Sequence, residues 1–423
     1  MTPDLSAARV PEAGTPAARE KLDSNARLTL LLAVLINMLD GLDIMIVAYV
    51  APSVSRDFQL DPRQLGMVLS AGLVGMMAGG LLLTPLGDRF GRRMLSLLSL
   101  GLMTLGTLVT ALSVDPVTFG IGRAIAGLGI GAILSTVATL VSEVVPVDRR
   151  PWAMGLSLGG YTFGAMLTGL VGSVIIPIYG WQRMLQAAAL LNVVMFGVTY
   201  FLLPESRSFA ARMLSIAEGR SAPVTAFFSA VPALFRDGRW RSTLLIWLAI
   251  FFGMQSVYFA TNWIPQLVSY ISKNPSLPFV AGMLYSAGGL TGQLLYGGLG
   301  KRFSVRTLLI VLMPMAGVML VVFGRSETVV GIMAAIFFLG VILQGGFTGF
   351  YVIAAEIYST DMRSAGLGWA IGIGRGGGIL GPLVAGFLIS AGMSTAGLAA
   401  VFAVPLVIAG VLGWSIRTVT DCQ

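Results

Sequence analysis

Only 11% of the 423 residues are charged while 56% are hydrophobic, and the net charge is +8. A water-soluble chain carries roughly 25% charged residues, so polar surface is too scarce for a soluble globule and the bilayer must be the solvent. One cysteine (Cys422) excludes a disulfide framework or a cysteine-based metal cluster, and the lack of histidine leaves proton chemistry to Asp, Glu, Lys, Arg or Tyr.

Residues 1–27 are Ala/Pro-rich and charged, without the apolar core of a signal peptide, and read as a flexible cytoplasmic tail. Twelve apolar segments follow: 28–50, 64–86, 94–112, 116–143, 152–177, 184–203, 241–270, 278–299, 305–323, 329–356, 364–391 and 395–416. Each can cross ~30 Å of hydrocarbon as a helix, so the expected fold is an all-α membrane protein. The polar, basic stretch 204–240 divides the chain into six-helix halves, 28–203 and 241–416, and 417–423 form a short C-terminus. An even count puts both ends on one side. That side receives 20 of the 27 Lys/Arg, and the opposite loops only Arg56, Arg63, Arg183, Lys273 and Arg325. The positive-inside rule makes it cytoplasmic.

The halves repeat. A shift of 213 residues aligns Pro52 with Pro265, Pro62 with Pro275, Gly75 with Gly288 and Gly79 with Gly292. It also pairs Glu143 with Glu356, Asp148 with Asp361 and Arg150 with Arg363, and lays "GDRFGRR" (87–93) on "GKRFSVR" (300–306). One gapless offset that matches charges and prolines at loop ends points to duplication. Two such halves can build a midplane site between rocking bundles.

The first span, "LINMLDGLDIMIVAYVAPSV" (35–54), carries two acids, Asp40 and Asp43. Each costs about 2.5–3.5 kcal/mol at the centre of a spanning helix. Arg123 and Arg375 also lie inside spans. Intramembrane charges of this kind face a bundle interior or a wet cavity. Residues three apart lie about 60° apart on a helix, so the two acids share a face. Burial and mutual repulsion disfavour the doubly charged pair, which suits it to carry a proton. Arginine grips a carboxylate through paired hydrogen bonds, so Arg375 and Arg123 are candidates to hold an anionic substrate. The alternative is that the four charges merely pair as salt bridges.

"LGDRFGRR" between spans two and three resembles the signature loop of the major facilitator superfamily, with Thr84 where that pattern has its first glycine. "GRAIAGLGIG" (122–131) resembles its span-four motif. The Asp-Gly-x-Asp of span one, followed by Ala-Pro-Ser, and "AEIYSTDMRSAGLGWAIGIGRGGGILGPLVAG" (355–386) are similar to the aromatic acid:H+ symporter family. Span four departs from that family, since "ILSTVA" lacks the Pro-Asn often found there.

The resemblance implies the major facilitator fold and a proton-coupled symporter importing a small aromatic carboxylate by alternating access. It implies a bacterial inner membrane, no cofactor beyond the coupling proton, no enzyme activity, no nucleic acid partner and a monomer. It also implies a cavity lined by spans one, four, seven and ten. Span seven offers Gln255, Tyr258, Phe259 and Asn262, and span ten Gln344, Phe347 and Tyr351. Each set is one mixed polar and aromatic stripe, though such aromatics and amides also serve plain helix packing. Asp88, Arg89, Arg92, Arg93, Glu143, Arg150, Glu356 and Arg363 gather at inner helix ends and are expected to form a cytoplasmic gate, which "LPESR" (203–207) resembles a further part of. Efflux antiport, transport of another organic anion or a sugar, and a non-transporting sensor remain alternatives.

Overall fold

The computed structural model describes residues 23–146, 149–205, 209, 231–236, 239–272, 274–358 and 363–416. Most of the 204–240 linker, together with Asp148, Asp361, Lys273 and both termini, lies outside the described residues.

The first half comprises α1 (Ser24–Asp57), α2 (Pro62–Leu82), the short α3 (Leu86–Phe90), α4 (Arg92–Ala111), α5 (Pro116–Val144) and α6 (Arg150–Leu202). After the four-residue α7 (Val231–Leu234) come α8 (Trp240–Ile271), α9 (Leu277–Leu299), α10 (Val305–Arg325), α11 (Val329–Ile357), α12 (Arg363–Ser390) and α13 (Thr395–Trp414). Ten of these are long and apolar enough to cross a membrane. One is α6, whose 53 residues are too many for one crossing. Gly180, at φ 83° and ψ 166°, leaves helical geometry and splits it in two. With α9, which packs among the other helices, the crossings among the described residues number twelve.

Two boundaries differ from the sequence reading. The second span ends at Leu82 rather than 86, because Pro85 cannot continue a hydrogen-bonded helix, and α3 then carries the loop motif. The loop expected between 177 and 184 is the single break at Gly180.

The duplication governs packing. In the first half α1 packs on α6, α2 on α5, and α4 on α5 and α6; in the second, α8 packs on α12 and α13, α9 on α11, and α10 on α11 and α13. The repeated glycines explain one seam. A side chain at Gly75 or Gly79 would strike the carbonyls of Ala124 or Leu128, and at Gly288 or Gly292 those of Phe337 or Val341. Small residues at these points let backbones approach closely.

The halves meet through α2 with α12, α6 with α9, and α1 with α8. Several of these contacts lie at the ends remote from the 204–240 linker. The Arg63 guanidinium covers the Phe387 ring at 4.4 Å, the Arg63 backbone N–H donates to Ser390 Oγ at 3.0 Å, and Tyr49 stacks on Phe279 at 5.7 Å.

Candidate functional site: buried charges between the halves

Asp40 and Asp43 sit in the middle of α1, both at most 1% exposed. Their surroundings are unlike. Asp43 faces the interior of its own half. Asn192 Nδ2 (α6) donates to its Oδ2 at 2.8 Å, and Thr107 Oγ1 (α4) to its Oδ1 at 3.3 Å. Arg123 (α5) donates from Nη2 to the Asp43 backbone oxygen at 3.0 Å. The carboxylate is therefore satisfied by neutral donors, with the arginine held to the same residue's main chain.

Asp40 has no such shell: its Oδ1 is buried without a hydrogen-bond partner. The charges acting on it are Arg375 of α12, in the other half, and Asp43. Arg375 is 7% exposed and reaches across the interface. Its Nη1 donates to the backbone oxygens of Met76 at 2.7 Å and Gly131 at 3.3 Å, on α2 and α5. Gly80 makes room for it, since a side chain there would collide with that same Nη1.

Arg123 Nε and Nη1 are buried without partners. The residue borders a cavity of about 20 Å³ with Tyr258, Asn262, Gly72 and Met76. A roomier groove of about 580 Å³ between α10 and α13, lined by Pro314, Val318, Val322 and Val407, is apolar and remote from these charges. Among the described residues no cluster of His, Cys, Asp or Glu could hold a metal ion.

Of the expected lining residues, Tyr258 lies within electrostatic reach of both Asp40 and Arg375, and Tyr351 of Tyr258 and Arg375. Asn262 turns its amide to the Tyr258 carbonyl at 2.9 Å. Gln344 packs against Gly289. Gln255 is partly buried, and its backbone oxygen lies against Gly381 of α12.

Phe259 requires correction. It is fully buried and stacked on Phe402 of α13, with centroids 3.9 Å apart, so it belongs to the second half's core. Phe347 is likewise 5% exposed, packed on Phe350, Tyr351 and the Gly253 backbone. A periodic stripe gave both a face, but the neighbouring helix covers that part of it.

Sequence reasoning missed four residues. Tyr161 on α6 lies within reach of Asp40, Tyr258, Tyr285 and Tyr351. Together with Tyr285 on α9, these tyrosines surround the site from four helices. Asn192 and Thr107 complete the Asp43 shell. A polar residue inside an otherwise apolar span is the signal that could have found each one.

At the linker end, Arg92 Nη2 pairs with Glu143 Oε1 at 3.3 Å. Glu205, of "LPESR", accepts from the N–H groups of Arg92 and Arg93 at 2.9 and 3.3 Å, capping α4 after the turn at Gly91, φ 98°. Arg93 donates to Tyr200 O at 2.6 Å, and Arg150 Nε to Val145 O at 3.1 Å. These contacts brace the first half rather than join it to the second. Arg89 lies over the Phe90 ring, and Glu356 is exposed and acts on Tyr296. The side chains of Asp88 and Arg363 lie outside the described residues.

The sequence pattern described as the Major Facilitator Superfamily matches residues 33–292. The chain belongs to the Major Facilitator Superfamily. Its members are transporters rather than enzymes. It is 30% identical over 390 residues to the gallate transporter of Pseudomonas putida, covering 86% of each chain. It is also 30% identical to the 3-(3-hydroxy-phenyl)propionate transporter of Escherichia coli, covering 92% of this chain and 93% of that one. The 4-hydroxybenzoate transporter of Pseudomonas aeruginosa is again 30% identical, with 86% of each chain covered. These relatives bear out the resemblance to aromatic-acid carriers. The fold is that of a D-xylose-proton symporter: TM-score 0.77 at 16% identity, covering 95% of this chain and all of the other.

Proposed function

We propose that the protein imports a small aromatic carboxylate together with protons, by alternating access of the halves 28–203 and 241–416 about the buried charges. The observation that carries this reading is Arg375, a guanidinium from one half inserted between two helices of the other, beside the unpaired carboxyl of Asp40. A charge so placed feels whatever moves the halves apart. The substrate carboxylate takes the Arg375 fork, helped by the free donors of Arg123. Its ring lies against Tyr258 and Tyr351, with Tyr161 and Tyr285 beyond, while amides such as Asn262 and Gln344 meet ring hydroxyls. Gallate, hydroxybenzoate and hydroxyphenylpropionate, named for the relatives, share that chemistry.

The coupled proton is carried within the acid pair of the first span, Asp40 and Asp43. The seal at the Arg63 end closes the outside in this conformation, and the Arg92–Glu143 brace with Glu205 keeps the first half rigid beside the inner gate, to which Asp88, Arg89, Arg93, Arg150, Glu356 and Arg363 contribute. We place the protein in a bacterial plasma membrane as a monomer with both termini cytoplasmic, and no cofactor beyond the coupling proton. Purified protein in liposomes with an imposed inward-acid gradient should accumulate benzoate, 4-hydroxybenzoate, protocatechuate or gallate, and Arg375→Ala should abolish this. No uptake of any carboxylate would overturn the reading.

A further inference from the structure

Three residues separate Asp40 from Asp43, yet the protein treats them as different groups. Both Asp43 oxygens are taken by fixed donors, Asn192 and Thr107, and its main-chain oxygen by Arg123. All of these belong to one half, so rocking of the halves need not disturb them. A proton placed on Asp43 would displace a hydrogen bond already made, and a buried donor left unmade is costly.

Asp40 has the opposite setting. Its Oδ1 is buried and unpartnered. Facing it are Arg375 on α12, Tyr258 on α8 and Tyr161 on α6, besides Asp43 on its own helix. Arg123 of α5 acts on Asp43. Arg375 and Tyr258 come from the other half, so the electrostatic setting of Asp40 changes when the halves move. Asp40 is also one turn nearer the linker end, the side away from the Arg63 seal.

On the proposed symport reading, we propose that Asp40 alone exchanges the coupled proton, and that coupling is a contest between two anions, Asp40 and the substrate carboxylate, for the guanidinium of Arg375. With the site open outward, a proton bonds to an Asp40 oxygen, the residue becomes neutral, and Arg375 is free to grip the substrate. After the halves rock, the O–H bond breaks and the proton passes to inner water. The restored carboxylate draws Arg375 back, and the substrate anion leaves. One proton accompanies one monoanion. Asp43 stays a fixed anion that keeps Arg123 placed, and Asn192 and Thr107 are positioning residues acting through it.

The test is 4-hydroxybenzoate affinity from about pH 6 to pH 9, read as KM for counterflow in liposomes without a gradient. Wild type should lose affinity by up to about tenfold per pH unit above the protonation range of Asp40, the slope of a one-proton linkage. D40N should flatten that slope and lose accumulation against a gradient, while retaining counterflow at a reduced rate. D43N should be slower in every assay but keep the slope, as should N192L. A wild-type slope in D40N, or its loss in D43N, overturns the proposal. Should D40N fail to fold, D43N and N192L still decide it. A wild type that binds but shows no slope overturns the contest. A wild type with no counterflow of any aromatic carboxylate overturns the symport reading instead.

Discussion

The same scaffold encloses two opposite interiors. In the first half Asp43, Thr107, Arg123 and Asn192 form a polar cluster. At the equivalent positions 213 residues on stand Ser256, Leu320, Ile336 and Pro405, all buried in apolar packing. There the neighbourhood is the Phe259–Phe402 stack, with Ser256 Oγ donating to the Phe402 carbonyl at 2.7 Å. The glycine seams of the two halves survived, while size was exchanged at their edges: Gly131 packs on Met76, but the equivalent Gln344 packs on Gly289. Gly72 corresponds to Tyr285 in the same way. The first half thus holds charges, and the second supplies Arg375 and most of the aromatic wall. Function resides where the repeat is broken.

Making the first interior resemble the second should give the largest effect. Asp43→Leu removes both the charge opposite Arg123 and the acceptors of Asn192 and Thr107, a loss of about 3–5 kcal/mol, visible as a collapse in folded yield or Tm in detergent. In the second half, Phe259→Ala should cost about 3–5 kcal/mol by opening a cavity, yet leave substrate preference unchanged. A shift in preference would return Phe259 to the site. Gly80→Ala should fold, since the equivalent Gln293 is accommodated on α9. It would dislodge the Arg375 guanidinium, and uptake KM should rise about tenfold, the worth of one hydrogen bond to a charged group.

The smallest effect compares two helix caps at equivalent positions. The hydrogen bond from the Thr118 hydroxyl, with those from the Thr118 and Val117 N–H groups, holds Asp115 below the ordinary carboxylate range. Its counterpart Thr328 caps Gly331 at 3.1 Å and does not titrate. The Asp115 contribution is present above the ordinary range and is lost as pH falls through the lowered value. Asp115→Ala should therefore lower Tm slightly at neutral pH and not in strong acid, whereas the effect of Thr328→Ala should be independent of pH.

Hydropathy, prolines and glycines made the twelve spans and the duplication legible, because lipid demands long apolar helices and close seams demand small residues. The charges in spans one, four and eleven were legible for the same reason: they are too costly to be idle. Their individual partners were not. A 60° separation puts Asp40 and Asp43 on one face, but whether that face meets Asn192 or Arg375 depends on α6 and α12, hundreds of ångströms of chain away. Phe259 read as lining because periodicity cannot tell a cavity from a neighbouring helix. Tyr161 and Tyr285 each put a polar group into an apolar run, but nothing in the sequence says that α6 and α9 bring the two to one place.

The central claim is tested most directly by following both fluxes in one preparation. Liposomes containing the protein and an internal pH dye, given radiolabelled 4-hydroxybenzoate outside, should acidify inside as the label enters, with a fixed ratio of protons to substrate. Asp40→Asn should lose the acidification. Entry of label without proton movement in the wild type would contradict the account.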